Sequence, residues 1–344
     1  MFNTPSSPHF HGHNSVTRMM LLLVLALVPG ISAYVWFFGW GVMVNIVFAL
    51  IVAYICEALV LVIRKKPLGL FLKDGSAGVT AILLALSIPP MSPWWLIAIG
   101  VIFAIVIAKH LYGGLGYNPF NPAMVGYAVL LISFPLEMTT WIKPIVLASE
   151  RASFSEMLYF FFNSVPPAHL SMDSMTGATP LDLVKTQITL EVELESFWAD
   201  SAVLTNLSGV GFEWVSIGFL AGGILLLYKR VISWHIPVSF LLGLFMMAWL
   251  TYAIDPEHHV SPVFHLFGGA AMLGAFFVAT DPVTAPSTNR GRVIYGVSIG
   301  VLTYVIRAWG GYPDGVAFAV LIMNMCAPTI DYYTRNRVFG YGKK

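Results

Sequence analysis

The sequence predicts an all-α integral membrane protein of ten transmembrane helices with one long connection, and three observations predict it. The 344-residue chain is 58% hydrophobic and only 10% charged, with a mean hydropathy of +0.79. Its apolar stretches repeatedly approach the ~20 residues a helix needs to cross ~30 Å of hydrocarbon. Its lysines and arginines gather on one side when the connections are assigned alternately to the two faces of a bilayer. The first two observations exclude a soluble globular domain. A net charge of +1 with no basic face argues against a nucleic-acid partner and leaves lipid, membrane proteins and redox groups.

The elements follow in chain order. Residues 1–18 form a His-, Ser- and Pro-rich head expected to be a cytoplasmic tail. No small-residue cleavage site leads into a polar mature domain, so the first span is expected to stay attached. The spans are read at 19–38, 41–63, 76–90, 94–110, 122–137, 213–230, 235–254, 262–280, 293–309 and 315–333 within a single domain, 19–334, and 335–344 is a second cytoplasmic tail. The span at 76–90 is short and closes at Pro89-Pro90, the form that broken helices take in transporters. Trp36, Trp40, Trp94, Trp95 and Trp309 fall at span edges, as an aromatic belt requires. Cys56 and Cys326 lie in apolar runs without metal-binding spacing and read as packing residues.

Charge sets the orientation. Arg18, Arg64, Lys65, Lys66, Lys73, Lys109, Lys229, Arg230, Arg290, Arg292, Arg335, Arg337, Lys343 and Lys344 fall on the side of the N-terminus, which is fourteen of the 18 basic residues. Lys143, Arg151, Lys185 and Arg307 fall opposite, together with every acidic residue except Glu57, Asp74, Asp281 and Asp331. Both termini are therefore expected in the cytoplasm and the connection 138–212 outside it. Residues 75–89 also overlay 268–282 at an offset of 193, matching Gly, Ala and Pro with Ser opposite Thr. Two five-span halves face opposite ways because five is odd, so the overlay predicts an inverted repeat with sites at the interface between halves.

Residues 173–179 read Asp-Ser-Met-Thr-Gly-Ala-Thr, a polar tract inside the long connection. A capped turn explains any two of these residues, with Asp173 or Thr176 starting it, Gly177 taking positive φ and Pro180 following. A phosphoester to threonine explains more: Gly177 and Ala178 leave the backbone bare beside the Thr179 hydroxyl, Asp173 can position a modifying enzyme, and Thr176 can hydrogen bond a phosphate. The tract resembles the signature at which FMN is esterified through its phosphate to the last threonine, here Thr179.

The resemblance widens with Glu57, Gly-Val-Thr-Ala at 78–81, Gly-Tyr-Asn-Pro-Phe-Asn-Pro-Ala at 116–123, Ala-Thr-Asp-Pro-Val-Thr-Ala-Pro at 279–286 and Gly-Tyr-Pro-Asp-Gly-Val-Ala-Phe at 311–318. Together they resemble the RnfD family of the Rnf electron-transport complex over essentially the whole chain. Its cousin is the NqrB component of the sodium-translocating NADH:quinone reductase, which usually has a longer N-terminal extension. The resemblance implies a bacterial inner-membrane component of a complex passing electrons between ferredoxin and NAD and coupling them to Na⁺ or H⁺ transport. It implies the other Rnf subunits (A, B, C, E and G) as partners, with RnfG also bearing covalent FMN, and a flavin transferase for maturation. NAD would be handled elsewhere, in keeping with the absence of a Gly-x-Gly-x-x-Gly strand-to-helix motif. The alternatives are the quinone-reductase component and a flavin-free solute channel.

By the same resemblance, Thr80, Asn118, Asn121 and Asp281 are candidates for a second, non-covalent flavin, riboflavin. Asn-Pro and Asp-Pro are equally turn starters at helix ends. Glu57 and Asp331 are ionisable groups in apolar spans and are candidates for an ion path. Snorkelling or pairing with Lys65 or Arg335 explains them too. His265 and Lys109 read as packed or interfacial residues.

Overall fold

The computed structural model describes residues 16–148, 152–166, 169, 171–190, 197–198 and 201–335. Most of the 1–18 head, Arg151, Arg337, Lys343 and Lys344 lie outside the described residues. The rest is mostly helical. Among the described residues, five helices are long and apolar enough to cross a membrane: Val16–Phe38, Gly41–Ile63, His235–Ile254, Asn289–Trp309 and Val316–Thr334. Ser76–Ser87, Trp94–His110, Pro122–Ser133 and Phe212–Tyr228 are shorter apolar helices.

Three of the expected spans are shorter or broken, each for a local reason. Ser76–Ser87 stops ahead of Pro89 and Pro90, which cannot donate to a helix, and Asn45 Nδ2 donates 3.0 Å to the freed Pro89 carbonyl. The 122–137 stretch divides at Phe134, which leaves helical geometry ahead of Pro135 (φ −133°, ψ 59°). The 262–280 stretch divides into Pro262–Phe267 and Ala271–Leu273, the latter running on into a π-helical segment, Gly274–Val278. Gly269 sits between them at φ +60°, where a side chain would be strained.

That break is held by side chains from elsewhere. Arg307 donates through Nη1 to the His265 carbonyl at 2.6 Å and through Nη2 to the Gly268 carbonyl at 2.9 Å. Asp314 Oδ2 accepts the Ala270 amide at 2.7 Å, and Arg307 Nη2 lies 3.1 Å from Asp314 Oδ1. Buried irregular backbone within an apolar bundle persists only when its polar groups are satisfied in this way.

Glycines let the long helices meet closely. Val16–Phe38 packs along Phe212–Tyr228, where a Cβ at Gly222 would stand 1.8 Å from the Ala26 carbonyl oxygen. His235–Ile254 packs along Asn289–Trp309, where a Cβ at Gly300 would stand 2.2 Å from the Phe240 carbonyl oxygen. Such small-residue crossings replace hydrophobic driving force with backbone contact. One core runs from Ala26 and Leu27 through Leu84, Leu130 and Phe277 to Tyr295 and Val320. On Gly41–Ile63 the inward face carries Ala49, Ala53 and Glu57, while Ile51, Ile55, Leu59 and Val62 are exposed, a surface suited to lipid rather than water. Trp36, Trp40, Trp94 and Trp309 are exposed as expected of a belt.

The described parts of the 138–212 connection pack on the helices through short elements. Trp141–Ile142 pairs antiparallel with Thr176–Gly177, with Trp141 opposite Gly177. Helix Pro180–Thr189 is fastened by Leu181 and Val184 packing with Leu204, Val260 and Phe264. Helix Phe154–Asn163 is fastened by Met157 and Phe160 packing with Met91 and Met175.

Candidate functional site

Thr179 is the N-cap of helix Pro180–Thr189. Its extended backbone (φ −70°, ψ 158°) lets Oγ1 accept the Asp182 amide at 3.3 Å, and Pro180 takes the first helical position, which needs no amide donor. Pro180 thus opens a helix rather than only fixing a turn. Gly177 is extended in its strand and has no positive φ. Its bareness answers a different need, since a Cβ there would meet the Lys143 chain at 3.1 Å. Thr176 Oγ1 donates 2.8 Å to the Met172 carbonyl, so its hydroxyl is turned onto its own short helix. Asp173 and Ala178 are exposed. Lys143 gathers the tract, its Nζ donating 3.0 Å to the Asp173 carbonyl and its amide 2.9 Å to the Met175 carbonyl.

Thr179, Pro180, Leu181 and Asp182 form one lip of a cleft holding ≈ 1220 Å³ of empty space, part of it open at the mouth. Tyr312, Pro313 and Asp314 form part of the other lip, and Gly269 and Ala270 of the helix break line it as well. The wall is aromatic: Tyr34, Phe38, Tyr127, Trp141, Phe212 and Phe219. Phe38 stands edge-on to Phe212 at 4.7 Å between centroids and to Tyr34 at 5.2 Å. Lys185 ties the lips together by donating to the Gly310 carbonyl and, at 2.8 Å, to the Tyr312 carbonyl. Burial lowers the pKa of that amine from its ordinary value. An apolar cleft with a few polar groups at its rim is suited to a flat aromatic ligand.

The second set of candidates is partly gathered. Asn121 caps Pro122–Ser133 by accepting the Met124 amide at 3.3 Å, and its Nδ2 donates 3.2 Å to the Val278 carbonyl. The Asp281 amide donates to the same carbonyl at 3.3 Å, while Asp281 Oδ1 accepts the Val283 amide at 3.2 Å. Asn324 Oδ1 accepts the Asn121 amide at 3.0 Å, and Asn324 Nδ2 donates 2.7 Å to the Tyr295 hydroxyl. Asn118 Nδ2 reaches the Phe120 carbonyl at 3.1 Å, but its buried Oδ1 has no hydrogen-bond partner among the described residues. Thr80 donates 3.0 Å to the Ser76 carbonyl of its own helix.

Glu57 and Asp331 take different roles. Glu57 is 1% exposed and both its oxygens accept Lys109 Nζ at 2.8 Å, so its partner is neither Lys65 nor Arg335. Lys109, expected to be packed or interfacial, is itself 2% exposed and lies in the π-helical segment Phe103–His110. Asp331 is half-buried at the end of the last helix and accepts the Ser287 amide at 2.9 Å and the Thr288 amide at 3.4 Å. It pins the loop that follows the Asp281 turn.

The family model described as the NQR2, RnfD, RnfE family matches residues 3–340 of this chain. The chain belongs to that family. Three relatives carry the name of the D subunit of an ion-translocating oxidoreductase complex. The one from Aliivibrio salmonicida (strain LFI1238) is 52% identical, with 99% of each chain covered. Those from Erwinia tasmaniensis and Escherichia fergusonii are each 49% identical, covering 99% and 100% of this chain and 99% of their own. As a member of this family the chain is a multi-pass membrane protein.

Several residues at these sites carry no site signal in the sequence of this family member. Lys143, Lys185 and Arg307 bear in the sequence only on the expected orientation. Tyr34 and Tyr127 are inconspicuous in apolar runs, and His110 stands in the shadow of Lys109. Nothing local in the sequence says that these meet.

Proposed function

We propose that the chain is the RnfD component of an Rnf-type ion-translocating ferredoxin:NAD oxidoreductase in the bacterial inner membrane, bearing FMN in phosphoester linkage on Thr179. The observation that carries this reading is the position of the Thr179 hydroxyl, at the lip of an aromatic cleft and at the start of a helix. The residues fit the group. The ester oxygen keeps its place as acceptor of the Asp182 amide, and phosphate charge lies at the positive end of the 180–189 helix. Tyr34, Tyr127 and Trp141 offer rings and polar tips to a flat heterocycle. FMN held there supplies one-electron transfer. The chain's own residues hold the tract with Lys143, close the lips with Lys185 and keep water from the aromatic wall.

The finer architecture goes with this function. Ten spans in two inverted halves put the 138–212 connection outside the cytoplasm, where a flavin transferase reaches Thr179 and RnfG brings its own covalent FMN. The A, B, C and E subunits complete the assembly. Two matching clamps support the repeat. Asp74 Oδ1 accepts the Ser76 amide at 2.7 Å at the start of one short helix, with Lys109 beside it, just as Asp314 accepts the Ala270 amide with Arg307 beside it. A second flavin, riboflavin, is read onto Thr80, Asn118, Asn121 and Asp281. The unpartnered Asn118 oxygen supports it, whereas Asn121 would have to release Val278. The ion path is read at Glu57 and Asp331. The relatives' names favour RnfD over the quinone-reductase cousin.

Denaturing electrophoresis with ultraviolet illumination tests the attachment in a host that has the flavin transferase. Thr179→Ala abolishes the yellow-green emission and leaves membrane insertion intact, whereas Thr176→Ala keeps it. Emission that survives Thr179→Ala overturns the assignment.

A further inference from the structure

Away from the cleft, a charged cluster lies buried where Gly41–Ile63, Ser76–Ser87 and Phe103–His110 meet. Lys109 Nζ spends its three protons on Glu57 Oε1, Glu57 Oε2 and Ser76 Oγ, each at 2.8 Å. Ser76 Oγ donates in turn to Asp74 Oδ1 at 2.6 Å, and Asp74 is half-buried at the edge of the bundle. On the other side, His110 Nε2 lies 2.9 Å from Glu57 Oε2 but off the line of a hydrogen bond. Its Nδ1 has no partner among the described residues, although the residue is only 7% exposed. Buried polar nitrogens left in this state call for an explanation.

We propose that His110 is the proton-accepting member of a buried proton site built with Glu57 and Lys109, and that the ion handled there is H⁺ rather than an alkali cation. A hard cation needs several oxygen ligands with free lone pairs. At Glu57 the place of such a cation is filled by the Lys109 ammonium, which charge-assisted hydrogen bonds hold on both carboxylate oxygens. A proton needs only a nitrogen lone pair beside the carboxylate, and His110 Nε2 offers one. Protonation places a positive charge 2.9 Å from Glu57 Oε2, against the carboxylate it is then paired with.

The route is an unbroken chain of contacts from Asp74 through Ser76, Lys109 and Glu57 to His110. Lys109 passes a proton to Glu57 and Glu57 passes one to His110. The Ser76 hydroxyl, which points at Asp74, turns to restore the Lys109 ammonium, and a proton taken from water at Asp74 restores Ser76, leaving one more on the imidazole; release reverses every shift. Val16–Phe38 packs on Leu72–Asp74 and Ser76–Ser87 and carries Arg18 next to Thr17, which donates to the Lys73 carbonyl at 3.1 Å at the outer end of the route. Ser76–Ser87, Trp94–Ile102 and Pro122–Ser133 carry no charged side chain, and their one titratable group, Tyr127, belongs to the cleft. Gly41–Ile63 adds only Tyr54 and Cys56, and exposed Arg64 donates to the His110 carbonyl at 3.2 Å. The inference deepens the ion-path part of the proposed function and is independent of the flavin.

The test is nitrogen-15 NMR of histidine-labelled full-length chain, in its complex, in lipid nanodiscs. Of the nine histidines, the signal missing in His110→Gln should pass from neutral to charged as the sample is acidified across its stable pH range. Glu57→Gln should move that titration to lower pH, and exchanging sodium for choline should leave it in place. If His110→Gln fails to insert, the single imidazole displaced by Glu57→Gln makes the assignment. In proteoliposomes, electron-transfer-driven proton uptake should fall at least about tenfold in His110→Gln. A His110 signal fixed in one state across that range overturns the proposal, as does a titration displaced by sodium. Loss of gel fluorescence with a normal His110 titration would strike the flavin reading alone.

Discussion

Thr179 satisfies two chemical demands with one backbone conformation, because an N-cap hydroxyl and a phosphoester oxygen both stand at the positive end of a helix. Alanine removes both at once. Loss of the cap costs about 1 kcal/mol of local helix stability, so amides of Pro180–Thr189 should exchange about fivefold faster in Thr179→Ala. Asparagine caps as well as threonine but offers no hydroxyl. Thr179→Asn should therefore show wild-type amide protection and no covalent flavin, and a variant that loses both would tie the flavin's loss to misfolding. Glu156 makes a pH prediction in the same connection. The Ser153 amide and hydroxyl hold its carboxyl below the usual carboxylate range in a capping box, with the amide 2.8 Å away. A lowered native pKa contributes stability fully above the unfolded value of about 4.3 and loses it as pH falls through the native value. Amide protection in Phe154–Asn163 should decline below pH about 4; Glu156→Gln should remove that pH dependence, and Ser153→Ala, which keeps the backbone amide, should only weaken it.

Individual elements were legible to the extent that their cause was local. Pro89-Pro90 marks a helix end in the sequence, and the Asn-Pro at 121–122 does start a helix. Pro135 and the Gly268-Gly269 pair, which divide stretches expected to be continuous, do not stand out from Pro29, Pro328 and Gly222-Gly223, which lie inside helices. The groups that satisfy those ends are distant in sequence: Asn45 at Pro89, Arg307 and Asp314 at the glycine break. Periodicity cannot show them, since a buried lysine or arginine looks like a loop charge until its partner is known. The Arg307 clamp gives a quantitative test. Its side chain is 1% exposed and bonds two carbonyls as well as Asp314. Arg307→Met leaves a carboxylate and two carbonyls uncompensated and should cost about 3–5 kcal/mol. Asp314→Asn keeps an oxygen for the Ala270 amide and removes the stranded charge. Adding it to Arg307→Met should recover part of the loss, read as a higher midpoint in thermal unfolding of the detergent-solubilised protein. A double variant less stable than Arg307→Met would show that the charge pair is not what holds the break.

For the whole molecule, the charge distribution bears on sidedness, and the folded connection accounts for its exceptions. Lysines and arginines resist crossing the bilayer during insertion, so connections rich in them remain in the cytoplasm. The exceptions are informative: Arg307 is buried on Asp314, and Lys143 and Lys185 are committed to backbone carbonyls of the folded connection. These three of the basic residues that the charge reading sets opposite the N-terminus therefore do not oppose it as free loop charges would. An arrangement of ten spans would keep Lys229-Arg230 and Arg335 on one side with Arg64-Lys65-Lys66; removing a span between these blocks would carry one of them across. A reporter active only outside the cytoplasm should work when fused near Lys185 and fail when fused after Lys344, and a cytoplasmic reporter should do the reverse. Activity of one reporter at both positions would mean that Lys185 and the C-terminus lie on the same side, with an even number of spans between them. That result would put Thr179 on the side of the C-terminus and dissolve the inverted repeat, while the Thr179 cap and the aromatic cleft would stand unchanged.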